Sequence, residues 1–229
     1  MTPGLIFDMD ETLYPERQFI RSGFRAVAVE LEQLYGLPAN LAFGCLLRAL
    51  REGKRQFALQ SLCSTFDLPD TLVPHLVGVI RRHQPTLHLP AASVAALTRA
   101  RADGWRLGVL TNGLPDVQAR KVRALGLDLL VDAVVYAQEW GSGRGKPERD
   151  AFDVARNRLN TPAAETVFVG DDPWCDIVGA RGAGLRTILL RRTGTPERAV
   201  DADDVVTAVE DVLQTAAGII CREVVAHAA

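Results

Sequence analysis

Leu5-Ile6-Phe7-Asp8-Met9-Asp10-Glu11-Thr12 decides the fold of this 229-residue chain. Three large apolar residues run directly into two carboxylates spaced one residue apart, and a hydroxyl stands two positions further on. An apolar run without polar alternation is the pattern of a strand covered on both faces, as in a parallel sheet between layers of helices. Asp8 and Asp10 then fall at the carboxyl end of that strand, the edge where open α/β sheets place their ligands. Residues two apart in an extended chain point the same way. Two carboxylates forced together repel, and a divalent cation is the usual remedy. The competing reading of this stretch is a strand followed by an acidic turn.

The bulk properties narrow the class. The apolar fraction of 48% and the charged fraction of 24% are those of an ordinary globular protein. The length suits one large α/β domain or a domain carrying a sizeable insertion. A net charge of −2 argues against a nucleic-acid polymer as partner. Cys45, Cys63, Cys175 and Cys221 are widely spread with no CxxC pair, which fits reduced thiols better than a disulfide framework or a zinc site. No apolar run approaches the roughly 20 residues needed to cross a membrane. The motif strand begins so close to Met1 that no signal peptide is expected before it. A cytoplasmic protein without a membrane partner is the expectation.

After Thr12 the pattern changes. Ile20, Phe24, Val27, Leu31 and Leu34 recur at the spacing of an amphipathic helix. Gly36 and Pro38 should stop it, with Asn40 as cap of the next helix. Apolar spacing through Leu46, Leu50, Leu59, Leu62 and Phe66 predicts one or two further helices, and Val73, Leu76, Val77 and Ile80 another. Beyond Pro90 a βα rhythm resumes. Helix 91–103 precedes strand 106–110 and Thr111-Asn112-Gly113; strand 133–137 precedes a glycine-rich loop that ends in Lys146-Pro147. Helix 150–159, strand 166–169, the turn Gly170-Asp171-Asp172-Pro173, a helix around 176–183 and strand 187–190 follow. Alternation of this kind predicts an α/β fold, a Rossmann-like parallel sheet core, interrupted by an inserted α-helical cap. The expected division is core 1–15, helical cap 16–89 and core 90–229.

Right-handed crossovers bring all strand tips to one edge. There the first strand offers Asp8 and Asp10, the second Thr111 and Asn112, the third loop Lys146, and the fourth Asp171, Asp172 and Asp176. Each tip taken singly is also explained by turn or cap chemistry. Their convergence on one edge suits phosphoryl transfer instead. Asp8 can attack phosphorus, and Asp10 can protonate the leaving oxygen and later activate water. Asp8 and Asp171 can hold a hard cation. Thr111 with the amides of Asn112 and Gly113 suits a phosphate, and Lys146 supplies a balancing point charge. Asp176 is expected to orient Lys146 or to hold a metal-bound water.

These motifs resemble those of the haloacid dehalogenase-like superfamily. DxDxT is matched by Asp8-Met9-Asp10-Glu11-Thr12, the threonine at a strand end by Thr111, the lysine before proline by Lys146-Pro147, and GDxxxxD by Gly170-Asp171 through Asp176. The resemblance spans essentially the whole chain in the right order. It implies Asp8 as nucleophile, Asp10 as acid/base, and Mg²⁺ held by Asp8, the backbone carbonyl of Asp10, and Asp171. The GDD form leaves open whether Asp172 assists the metal. The insertion looks like the helical cap of the phosphoglycolate phosphatase and nucleotidase branch.

Within that superfamily a second carboxylate in DxD points to a phosphatase over a dehalogenase, because an oxygen leaving group needs a proton. A phosphosugar mutase shares the core chemistry, and a non-catalytic binder shares the fold. A phosphonatase needs a cap lysine, and Lys54, the one candidate, reads better as a solvated charge. A receiver-type signalling domain would lack the insertion. The expected partner is a small phosphorylated metabolite, with Tyr14, Arg17 and Arg21 as the nearest substrate candidates, although hinge packing and salt bridges explain them as well. The chain is expected to be a monomer or homodimer, and the apolar tail 216–221 to pack on the core in preference to a partner.

Overall fold

The computed structural model describes residues 2–191 and 201–227, with side chains as far as residue 222. Residues 192–200 and 228–229 of the expected core segment 90–229 therefore lie outside the described residues. Strand β1 (Gly4–Phe7) is the apolar run of the opening stretch, and all of it is buried. Helices α1 (Arg17–Tyr35), α2 (Ala39–Arg51), α3 (Ala58–Thr65) and α4 (Val73–Arg82) follow. The chain continues through α5 (Ala91–Ala102), β2 (Arg106–Thr111), α6 (Pro115–Leu125), β3 (Ala133–Tyr136) and α7 (Arg149–Leu159). It ends with β4 (Thr166–Gly170), α8 (Gly179–Gly182), β5 (Arg186–Leu190), β6 (Asp204–Val206) and α9 (Val212–His227).

Among the described residues the strands form one six-stranded sheet in the order β3-β2-β1-β4-β5-β6, and every pair is parallel. This is the expected Rossmann-like α/β sheet. The chain first builds outward from β1 to β3, then returns to add β4 on the other side. That reversal sets β1 and β4 side by side, with Phe7 opposite Val169. Ligands bind at such switch points because the connections leave the two strand tips in opposite directions and open a crevice between them.

The central place of β1 explains its unbroken apolar run. On one face Ile6, Leu110, Val135 and Phe168 meet Ala151, Phe152 and Ala155 of α7 and Ala180 of α8. Phe152 and Phe168 meet edge to face at 5.1 Å between centroids. Elsewhere α5 packs on β2, α9 on β5 and β6, and α5 against α9. Each large apolar side chain buried in this way contributes about 1.5–3 kcal/mol. Ala216 and Ile219 of the apolar tail are buried within this layer, so the tail completes its own core.

Two compact units emerge, one of Met1–Pro15 with His88–Ala229 and one of Glu16–Leu87. The second has its own core: Phe24, Val27 and Leu31 of α1, Leu46 of α2, Leu59 and Leu62 of α3, and Leu76 of α4. The stripe on α1 stops short of Leu34, which is 56% exposed. Gly36 ends α1 in the left-handed conformation, φ 67°, as its position after the stripe led us to expect. Asn40 is not the cap of α2. That helix starts after Pro38, and the Ala39 N–H donates to Glu32 Oε1 at 3.0 Å, so the preceding helix supplies the acceptor. Near 176–183 the expected α-helix is instead a π-helical turn, Pro173–Val178, leading into α8. The N–H groups of Asp176 and Ile177 both reach the Asp172 carbonyl, which widens the turn. Among the described residues no helix is long and apolar enough to cross a membrane.

Candidate active site

Asp8 leaves β1 with its N–H donating to the Val169 carbonyl at 2.8 Å, so the β4 ladder fixes its backbone. Its side chain is nearly buried. The chain then turns sharply. Leu13 N–H donates to Met9 O at 3.0 Å, and Glu11 takes a left-handed φ of 57°. That turn returns Tyr14 to Asp10, where its hydroxyl donates to Oδ1 at 2.6 Å. Tyr14 is fully buried. Its ring packs and its hydroxyl supports Asp10, so it presents no open surface to a substrate.

Lys146 is the hub. Its Nζ lies 2.6 Å from Asp8 Oδ1, 2.6 Å from Asp176 Oδ1 and 3.3 Å from the Leu110 carbonyl. It also sits 5.4 Å from the centre of the Phe168 ring. Asn112 holds the loop that delivers it: Oδ1 accepts the Lys146 N–H at 2.8 Å, and Nδ2 donates to the Lys146 carbonyl at 3.0 Å. The whole Asn112 side chain is thus engaged with that loop, which leaves its backbone for the phosphate role expected of it. Thr111 closes β2 and is fully buried.

Asp8, Asp171 and Asp176 form an acidic cluster in which one oxygen from each lies within 4.8 Å of the others. Burial, and then the Asp176 and Asp10 charges, push the Asp8 carboxyl up to about 8, although Lys146 pulls the other way. Burial, followed by Asp176 and Glu11, pushes Asp171 up to about 6. Burial favours a neutral Lys146, but Asp176 and Asp8 outweigh it and hold the ammonium well above the ordinary range. The cluster is short of positive charge. A hard divalent cation taking oxygen ligands is what such a donor set fits. The expected set was Asp8, Asp171 and the backbone carbonyl of Asp10; Asp176 stands in this cluster as well, and the Asp10 carboxylate, which that set did not use, is directed elsewhere.

Three donors converge on it. Besides Tyr14, Gln118 Nε2 donates to Asp10 Oδ2 at 2.8 Å, and Lys121 Nζ lies 2.9 Å from each oxygen. Gln118 also reaches Thr111 Oγ1 at 2.6 Å and the Asn112 carbonyl at 2.7 Å. Sequence reasoning missed both residues, though a signal was present. The buried stripe of α6 is Gln118, Lys121, Val122 and Leu125, a core-facing spacing in which two positions are polar. Gly113, at φ 119°, leaves room for Gln118, whose side chain would lie 3.3 Å from a β-carbon there.

Asp172 caps the π-helical turn, its Oδ1 accepting from Trp174 N at 2.8 Å and Cys175 N at 2.7 Å. Its N–H donates to Asp176 Oδ2 at 3.0 Å, which steadies Asp176. Trp140 lies beneath the Arg158 guanidinium, and Trp174 is largely exposed. In the helical unit Arg17 and Arg21 are exposed on α1, and Lys54 pairs with Glu52 at 3.0 Å as an exposed charge. Gly170 is fixed by close approach, since a β-carbon there would run into the Asp176 carboxylate. Gly170→Ala is therefore expected to push Asp176 off Lys146 and destabilise the protein by about 1–3 kcal/mol. A thermal melt and a structure of the variant check this; an unmoved Asp176 would contradict it.

A family model described as haloacid dehalogenase-like hydrolase matches residues 2–184. The chain is 27% identical over 202 residues to a glyceraldehyde 3-phosphate phosphatase of Methanocaldococcus jannaschii, across 83% of this chain and 85% of that one. It is 33% identical over an alignment of 232 residues to a ribulose-1,5-bisphosphate 5-phosphatase of Halopiger xanaduensis, across 90% and 92% of the two chains. The magnesium-bound HAD-hydrolase YfnB of Bacillus subtilis superposes with a TM-score of 0.68 at 19% identity, covering 94% of this chain and 98% of that one. At that identity the likeness concerns the fold.

Proposed function

We propose that this chain, which belongs to the haloacid dehalogenase-like hydrolases, is a Mg²⁺-dependent phosphatase that hydrolyses a small phosphomonoester through an aspartyl-phosphate. The observation that carries the reading is Lys146, whose buried ammonium bridges Asp8 and Asp176 at 2.6 Å each beside Asp171. A lysine so placed holds the Asp8 carboxylate in one orientation and offsets part of the charge of the cluster. Asp8, Asp171 and the Asp10 backbone carbonyl, with Asp176 close by, would hold Mg²⁺. When bound, the ion supplies charge stabilisation to the phosphoryl oxygens.

In the first step an Asp8 oxygen forms a bond to phosphorus, the bond from phosphorus to the ester oxygen breaks, and protonated Asp10 gives its proton to that oxygen. In the second step Asp10 takes a proton from water, the water oxygen bonds to phosphorus, and the aspartyl-phosphate bond breaks to restore Asp8. Thr111, the backbone of Asn112 and Gly113, and Lys146 would bind the phosphoryl oxygens. These residues all serve the phosphate, so substrate choice is assigned to other positions. The relatives named above act on a triose phosphate and a pentulose bisphosphate, which favours short sugar phosphates here. Phosphate release from glyceraldehyde 3-phosphate, other sugar phosphates, phosphoglycolate and nucleoside monophosphates, with Mg²⁺ and with excess chelator, tests the reading. Metal-dependent release greatest on sugar phosphates is expected. Release that is indifferent to chelator, or absent throughout the panel, would refute it.

A further inference from the structure

Lys121 is a buried ammonium on α6, with 5% of its side chain exposed. Taking a lysine out of water costs several kcal/mol unless an anion answers it, and an apolar residue would fill a core-facing stripe without that cost. The anion is Asp10, reached at 2.9 Å from both carboxylate oxygens. An ammonium straddling the two oxygens fixes the plane of the carboxylate as well as its distance. Gln118, three residues earlier and so on the same helix face, adds a bond to Oδ2 at 2.8 Å, and Tyr14 one to Oδ1 at 2.6 Å. The identity of the Gln118 nitrogen follows from the Asn112 carbonyl, which can only accept. Rotation of the Asp10 carboxylate would break contacts on three sides.

We infer that Lys121, with Gln118, is a positioning residue that aligns Asp10 for proton transfer and ties it to the Thr111-Asn112 strand tip. This rests on the phosphatase reading. Gln118 also bonds Thr111 and the Asn112 carbonyl, whereas Lys121 is assigned neither a metal nor a substrate contact; it acts through Asp10. Its loss should therefore be felt according to how much the leaving oxygen needs a proton. An alkoxide needs it greatly, whereas 4-nitrophenolate leaves well without it. General acid catalysis contributes about 10²–10⁴-fold, and a misaligned acid forfeits part of that.

The test compares wild type, Lys121→Met and Lys121→Arg on glycerol 3-phosphate and on 4-nitrophenyl phosphate. For Lys121→Met, kcat/KM on the alkyl ester should fall about 10²-fold and on the aryl ester less than about 5-fold. Lys121→Arg, which keeps the cation, should recover the alkyl ester to within about tenfold of wild type. A folding defect lowers both esters together, and a thermal melt reads it separately. Equal losses on the two esters, or no recovery with arginine in a folded variant, would overturn the inference alone. A wild type that releases phosphate from neither ester nor any substrate of the panel above would overturn the phosphatase reading, and the role of Lys121 with it.

Discussion

Asp8→Asn is expected to lower phosphate release by about 10⁵-fold or more while the protein folds normally. An amide retains the shape of the carboxylate but is a far weaker nucleophile toward phosphorus, so no aspartyl-phosphate forms. The stability side is equally specific. Asp8 is buried beside Asp176 and near Asp171, and its ionised form is disfavoured there, with the carboxyl pushed up to about 8. Removing that charge leaves Lys146 paired with Asp176 at 2.6 Å. The variant should thus melt at the same temperature as the metal-free wild type or above it, most clearly near pH 8. Steady-state phosphate release and calorimetry on one preparation check both halves. Activity within about 10²-fold of wild type would remove Asp8 as nucleophile, and a collapsed melting temperature would show that the charge is needed for folding.

The sheet was legible because β1 sits at its centre, where burial on both faces writes an unbroken apolar run. Three of the four strand tips could be read for the same reason, since their polar motifs follow such runs directly; Lys146 instead comes after a glycine-rich loop that leaves the edge strand β3. What failed lay where tertiary contacts override local pattern. Asn40 looked like a cap, but Glu32 from the previous helix already answers the Ala39 amide. The helix expected near 176–183 opens as a π-helical turn because one carbonyl, that of Asp172, receives two N–H groups. β6, only Asp204–Val206, is too short to show any period. In the site, the strand-tip reading set Asp8 beside Asp10 but gave the Asp10 carboxylate no partners. The turn at Glu11 aims that carboxylate at Tyr14, Gln118 and Lys121. Those partners were hidden because amphipathic periodicity treats a polar residue in an apolar stripe as an imperfection, whereas here the imperfection marks the contact.

Removal of the metal should both silence the enzyme and expose the strain in its acidic cluster. Asp8 and Asp171 have folded-state carboxyls raised to about 8 and about 6, above the ordinary values of an unfolded chain near 4. Between those limits the unfolded chain has released protons that the folded one still binds, so stability falls as pH rises. The stabilising contribution is full below about pH 4, and it is lost progressively through pH 6 for Asp171 and pH 8 for Asp8. Each such proton makes the slope about 1.4 kcal/mol per pH unit. Mg²⁺ is expected to reverse the trend, because a cation among these oxygens favours their ionised forms and protons compete with it. Its stabilisation follows RT ln(1 + [Mg²⁺]/Kd) and so grows with pH. In excess chelator the melting temperature should decline from pH 5 to pH 8.5, and added Mg²⁺ should raise it by several degrees at pH 8.5 and little at pH 5. Differential scanning calorimetry across that range decides the matter. A Mg²⁺ shift that is the same at both ends would mean that the ion binds away from Asp8, Asp171 and Asp176, and the proposed metal site would have to be abandoned.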